Sequence, residues 1–339
     1  MPLGHGQILI PTLGEELSSF SDDFNRSNGA LGKPWLCNSG WAVSSNQAIN
    51  IPISLSGELL TDPGIESWDD ASTPHTPWTH THAGSSTVNR DGADQHGGTY
   101  CCRMDLDATP GTTSLMQAIS HTLGKIIQLT GWIKVSNAAA IPKFYMFHDA
   151  IQNCTWVDAS ITTYRNIQCV CLPNQANDSL ILTNTSSCAS KSIFGDDFSC
   201  KSLDFGDSLA LIKYASNNMN VLAKPTCLNL NYIICGVAGW VDVPPPGNPN
   251  YGLIVVHTGQ KIHLVKYVNG VWTDLISAND STTGNSIQMI CSGNSVSIWH
   301  DGVQVGTTQT VTDVPPSPYF GLFSPHLSAS LDNFVCVPS

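Results

Sequence analysis

Glu58-Leu59-Leu60-Thr61-Asp62-Pro63-Gly64-Ile65-Glu66-Ser67-Trp68 is the stretch on which the reading of this chain turns. Too little sequence precedes it to make a domain. After it comes a β-rich unit that closes at Gly195-Asp196-Asp197-Phe198-Ser199-Cys200-Lys201-Ser202-Leu203, and the chain beyond Asp204 reads as the remainder of what began before Glu58. The expected organisation is an arm at 1–19, a host domain of residues 20–56 plus 204–339, and an insert at 57–203.

Composition sets the class. A chain of 339 residues, 41% hydrophobic, can bury two medium cores. With 12% charged residues, 28 Gly and 20 Pro it reads as turn-rich and all-β, and no long apolar stripe of helical period stands out. The net charge of −12, without clustered Lys or Arg, excludes nucleic acid as a partner. No apolar run approaches membrane-spanning length, so no membrane insertion is expected.

Met1 to Pro11 lacks the basic and apolar regions of a signal peptide, which points to synthesis in a cytosol and, for an external protein, release by lysis. The 12 Cys admit two readings, buried free thiols or a disulfide framework. Alternation of many of them with polar residues favours the first, and the absence of any Cys-x-x-Cys argues against a zinc ribbon. Ile8, Leu9 and Ile10, stopped by Pro11, are too few to form a core, yet their backbone can extend another subunit's sheet edge. They are expected to be an assembly arm in a homo-oligomer. A free tail and an arm folded back on its own domain are the alternatives.

Phe20-Ser21-Asp22-Asp23-Phe24-Asn25-Arg26, then Gly29-Ala30-Leu31-Gly32, Trp35 and Trp41, resembles the opening of concanavalin A-like, laminin-G-like sandwiches. The resemblance implies that the first strand pairs with the last, and Ala329 to Val337 looks like that closing strand. Tyr251 to Val256, Lys261 to Tyr267, Ser286 to Cys291 and Val296 to His300 read as strands between, with hairpin turns at Asn269-Gly270 and Asp301-Gly302. Within the insert, Leu59 to Trp68, His96 to Met104, Leu129 to Val135 and Phe194 to Ser199 resemble, in order, four motifs of galactose-binding-like carbohydrate-binding modules. Ile65 and Cys101 depart from the pattern. The fold implied is all-β, a laminin-G-like β-sandwich with an inserted β-jelly-roll.

Catalysis is not expected. The chain has four Glu, at 15, 16, 58 and 66, so the Glu-x-Asp-x-x-Glu strand that retaining hydrolases of the concanavalin A-like type use is missing. Asp196 and Asp197, as adjacent strand residues, are expected on opposite faces. No hydrolase elbow, zinc-protease helix or phosphate loop occurs. His80 and His82, with His75 and His96, could face a metal, but a Thr- and His-rich exposed strand is the favoured reading.

The module resemblance implies a structural calcium between Glu66 and Asp197, whose carboxylates suit a hard cation. It also implies glycan binding through aromatics at Tyr145, Phe147 and Trp156, while Trp68 and Trp132 are assigned to the core. The function expected is a non-enzymatic virion or extracellular structural protein, such as a phage decoration, fibre or tail-associated subunit, that displays a glycan-binding domain and packs with other subunits. A secreted lectin is the alternative, and an atypical glycosidase the third reading.

Overall fold

The computed structural model describes residues 16–339 apart from 53, 69, 71, 75, 108–111, 137–141, 148, 150–161, 185–190, 228–233, 259–260, 280–285 and 327–328. The arm residues Ile8, Leu9 and Ile10 and the aromatic Trp156 therefore lie outside the described residues.

Five short strands come first, β1 (Phe20–Asp22), β2 (Gly29–Ala30), β3 (Leu36–Cys37), β4 (Trp41–Ser44) and β5 (Gln47–Asn50). The next nine are β6 (Trp78–Thr81), β7 (Thr87–Asp91), β8 (Cys101–Leu106), β9 (Thr113–Ser120), β10 (Ile126–Val135), β11 (Pro142–Met146), β12 (Arg165–Cys171), β13 (Asn177–Asn184) and β14 (Lys191–Leu203). After a 3-10 turn at Gly206–Ser208 come β15 (Leu209–Lys213), β16 (Met219–Cys227), β17 (Cys235–Val241), β18 (Tyr251–His257), β19 (Lys261–Val268) and β20 (Val271–Asn279). The last five are β21 (Ile287–Ser292), β22 (Ser295–His300), β23 (Val303–Thr310), β24 (Tyr319–Phe323) and β25 (Ala329–Pro338).

The chain is all-β, a β-sandwich interrupted by a jelly roll. A nine-stranded sheet in the order β2-β4-β5-β25-β16-β21-β22-β23, with β1 added beside β25, faces a seven-stranded sheet β20-β19-β18-β17-β24-β15-β3. Residues between them form a five-stranded sheet β12-β10-β14-β8-β7 and a four-stranded sheet β11-β13-β9-β6. Two hydrophobic clusters result, one drawn largely from residues 24–48 and 203–336, the other from 60–200.

The opening motif owes its spacing to one carboxylate. Asp22 accepts hydrogen bonds from Phe24 N (2.9 Å), Arg26 Nη1 (2.5 Å) and Trp35 Nε1 (3.1 Å). That closes the turn and sets Trp35 against Phe20, Phe24 and Phe334, ring centroids 5.8, 6.1 and 4.9 Å away. First and last strands pair as expected, Phe20 opposite Cys336 and Asp22 opposite Phe334. Asn269-Gly270 and Asp301-Gly302 have positive φ at both residues, the backbone of a type I′ hairpin. The nine described cysteines are free thiols, eight of them buried. At Cys101 burial pushes the thiol up to about 12, so it is neutral at physiological pH.

The two chain crossings lie side by side. Ser56 N donates to Ser202 O and Leu59 N to Cys200 O, both at 2.9 Å, and Glu58 accepts from Cys200 N (2.7 Å) and Ser199 Oγ (2.6 Å). Ile126, Val170 and Leu172, at the base of the jelly roll, belong to the host sandwich's cluster, so an apolar seam joins the two units. Lys125 Nζ reaches Asp204 Oδ1 at 2.7 Å, and Gln128 Nε2 donates to Pro325 O at 2.5 Å. Gly124 is a glycine for want of space: a Cβ there would stand 2.9 Å from Gly270 Cα on the β19–β20 hairpin.

Candidate functional site

Alternation along the strands gives the four-stranded sheet two faces. Phe144 and Met146 of β11, Leu180 and Leu182 of β13 and Leu115 of β9 fill the jelly-roll core. The opposite face carries Tyr145, and the register sets Ile181, Met116 and Thr79 beside it in one row across all four strands. A flanking row holds Lys143, Thr183, Ser114 and Thr81, the last two joined hydroxyl to hydroxyl at 2.7 Å. Beyond Tyr145, Phe147 is 52% exposed and donates its N–H to Ser179 O at 3.0 Å.

Tyr145 and Phe147 thus come together, two residues apart on one side of β11. Burial raises the Tyr145 phenol further, leaving it a neutral donor and acceptor at physiological pH. Ile181 and Met116 do not stand out in the sequence, because only cross-strand register brings them to Tyr145. The signal available was their alternation within β-prone runs, which fixes a face but not a neighbour.

A second convergence is built around the turn Gly97-Gly98. Asp62 closes the preceding loop by accepting from Glu66 N (2.8 Å) and Ser67 N (3.1 Å), while its carbonyl accepts from Trp78 Nε1 (3.0 Å). Ile65, buried and β-branched, is held at φ 61°, a conformation that stores about 1–3 kcal/mol and directs Glu66 outward. Glu66 Oε1 then accepts from Thr99 N (2.7 Å) and Tyr100 N (3.1 Å). Asp196 accepts from His96 N (2.9 Å), Gly97 N (3.1 Å) and Asp197 N (2.8 Å). Asp197 Oδ2 meets His96 Nδ1 at 2.9 Å.

The expectation that Asp196 and Asp197 face apart is corrected here, since both touch His96. The cause is a bulge: the β10–β14 register slips between Thr130 and Trp132, and Asp197 sits at φ 47°. Burial pushes the Asp196 carboxyl up, its three N–H donors pull the other way, and the neighbouring Asp197 adds to the rise.

Glu66 and Asp197, the expected calcium pair, flank this turn from two sides. Glu66 Oε2 and Asp197 Oδ1 accept no hydrogen bond among the described residues, and a Cβ on Gly97 or Gly98 would overlap a carboxylate. No third His, Cys, Asp or Glu completes a metal-holding group among the described residues. Free carboxylate oxygens are the ligand type a hard cation takes.

Trp68 is buried in the core, but Trp132 is not. It lies half-buried on the outer face of the five-stranded sheet, because β10 turns Ile133 inward and Trp132 and Lys134 outward. His96 stacks on its ring at 3.7 Å and 12°. His80 and His82 have ring centroids 6.0 Å apart, and burial, then the His82 charge, lowers the His80 imidazole. His96 lies in the β7–β8 connection, stacked on Trp132 of the other sheet, and His75 is outside the described residues, so the four do not assemble.

No family model and no curated protein matches the chain. Among solved structures it is similar to the N-terminal CBM22-1–CBM22-2 tandem domain of a Paenibacillus barcinonensis protein, at 9% identity over 85% of this chain and 100% of that one, TM-score 0.32. It is also similar to the carbohydrate-binding module CBM66 from Bacillus subtilis, at 12% identity over 38% of this chain and 76% of that one, TM-score 0.27. A third likeness is to the CBM22-1 xylan-binding domain from P. barcinonensis, at 16% identity over 37% and 85%, TM-score 0.28.

Proposed function

We propose that the chain is a non-catalytic glycan-binding protein whose jelly roll takes an oligosaccharide on the open face of its four-stranded sheet. The row Tyr145–Ile181–Met116–Thr79 carries this reading. A tyrosine ring offers an apolar plate to the C–H face of a sugar and a hydroxyl at its rim, and of the flanking row Lys143 and Thr81, which unlike Thr183 and Ser114 are not buried, answer sugar hydroxyls. No carboxylate stands among the described residues of this face, whereas hydrolysis needs a pair. The sandwich holds the jelly roll by two adjacent crossings and an apolar seam, which suits outward display on an assembly such as a virion. A secreted lectin would need the same face, and recovery of the chain in a particle or as a free subunit separates the two settings.

Tyr145→Ala is expected to weaken retention of the full chain in gels containing a soluble neutral polysaccharide by about tenfold, with a cooperative thermal melt retained. Retention equal to wild type would sink the reading.

We also infer that Glu66 and Asp197 lend oxygens to a structural calcium. Calcium should then raise the melting temperature of the full chain by mass action, and chelator should lower it. Glu66→Gln keeps an oxygen for the Thr99 and Tyr100 N–H groups while dropping the charge, so it should remove most of the calcium increment and leave the chelated melt near wild type. Identical wild-type melts with calcium and with chelator would eliminate the site.

A further inference from the structure

The outer face of the nine-stranded sheet carries a second aromatic platform, far from Tyr145 in the fold and built from the host sandwich. On β22, Val296 and Ile298 are buried in the core and Trp299 points the other way, half-buried. Its indole N–H donates to Ser297 Oγ at 3.0 Å, two residues back on the same face. The ring therefore lies along its own strand and presents a face outward.

Register puts an amide on each side, Gln304 of β23 and Gln288 of β21, and continues the row to Leu222 and Val335, the latter 36% exposed. Four inter-strand gaps of about 4.8 Å make this row about 19 Å long. Gln288 Nε2 donates to Asn220 Oδ1 at 2.7 Å, which fixes its amide and aims its oxygen elsewhere. Gln304 is exposed and bonded only within its own strand, to Gly306 O at 3.4 Å and Thr308 Oγ1 at 3.3 Å.

We infer that this row, centred on Trp299, is a second glycan-binding site, selective for a neutral chain of pyranose rings. Every residue of the row is uncharged on a protein of net charge −12, which fits neither a polyanion nor a polycation. The amides lie in the same row as the apolar side chains, so a dry sheet of a second copy packed here would bury them with hydrogen-bonding capacity unmet. A sugar supplies both kinds of contact at once: an apolar C–H face for the indole, and hydroxyls that donate and accept for the amides. The site goes beyond the Tyr145 reading, since it uses another sheet of another unit and does not depend on it.

The test is affinity electrophoresis of the full chain in gels cast with hydroxyethylcellulose, barley β-glucan or galactomannan, and with polygalacturonate as the charged comparison. Trp299→Ala should reduce retardation by about tenfold in at least one neutral polymer, Gln304→Ala should weaken it in the same polymer, and Trp299→Ala with Tyr145→Ala should abolish it. Gln304 is exposed on an edge strand, so its variant keeps the test open if Trp299→Ala does not fold. Wild-type retardation of both variants, no retardation by any neutral polymer, or retardation by polygalacturonate alone would overturn the inference. Loss of all binding in Tyr145→Ala alone would also overturn it while leaving the first reading standing, and loss of all binding in Trp299→Ala alone would do the reverse. A dimer in sedimentation that Trp299→Ala dissociates would mean that a second copy covers this face, which again overturns it.

Discussion

Asp196→Ala is expected to destabilise the chain by about 3 kcal/mol or more, the largest effect of any single carboxylate in the jelly roll. Its side chain is buried and satisfies three backbone donors, those of His96, Gly97 and Asp197. Removing it leaves all three without their acceptor, and a stranded buried donor costs about 1–3 kcal/mol. The same three bonds pin the Gly97-Gly98 turn on which Glu66 and Asp197 meet, so His96 should also lose its stack on Trp132. Asp196→Asn should lie between: its carbonyl can keep the His96 and Gly97 donors, but its NH2 then opposes the Asp197 N–H. Urea unfolding at neutral pH reads both variants. A loss below about 1 kcal/mol for Asp196→Ala would mean that the turn holds without its carboxylate.

Acid should loosen the molecule through His326. This imidazole is 5% exposed beside the seam, one residue from the Pro325 carbonyl that accepts Gln128 Nε2. Burial lowers its pKa from 6.5 to about 4. The folded state therefore prefers the neutral ring, and the unfolded state binds the proton first as pH falls. Stability due to His326 is complete above pH 6.5 and is lost progressively down to pH 4. The loss comes to about 2 kcal/mol by pH 5 and about 3 kcal/mol at its limit. Melts between pH 7 and pH 5 should show this slope, and His326→Gln should flatten it. Most carboxylates titrate below that window, so an undiminished slope in the variant would assign the acid sensitivity to another group.

Much of the fold was legible because it is written locally. Asn269-Gly270 and Asp301-Gly302 mark hairpins by residue type alone, and β21 and β22 alternate buried and more exposed residues. Asp22, Phe24 and Trp35 form a motif because one carboxylate ties all three together within a short segment.

What stayed hidden depends on partners distant in sequence. Nothing near Ile126, Val170 or Leu172 says that these apolar residues pack on the host sandwich rather than inside the jelly roll. The size of Trp132 suggests a core residue but does not reveal which way its strand faces, and His96, which covers it, is 36 positions away by number. The bulge after Asp196 defeated simple alternation, since one residue in a left-handed conformation redirects a side chain without leaving a glycine to announce it. Tyr145 was found by its place in a resembled pattern, but its row with Ile181 and Met116 exists only once three strands are in register.

Hydroxyl-radical footprinting of the full chain with and without a retained neutral polysaccharide reads the open face of the four-stranded sheet residue by residue. Met116 and Tyr145 are reactive reporters on either side of Ile181 in the proposed row, and Trp132 on the opposite sheet is a built-in reference. Protection of Met116 and Tyr145 by the polysaccharide, with Trp132 oxidised at an unchanged rate, is the expected result. Unchanged oxidation of Met116 and Tyr145 at a polysaccharide concentration that retards the chain would contradict it.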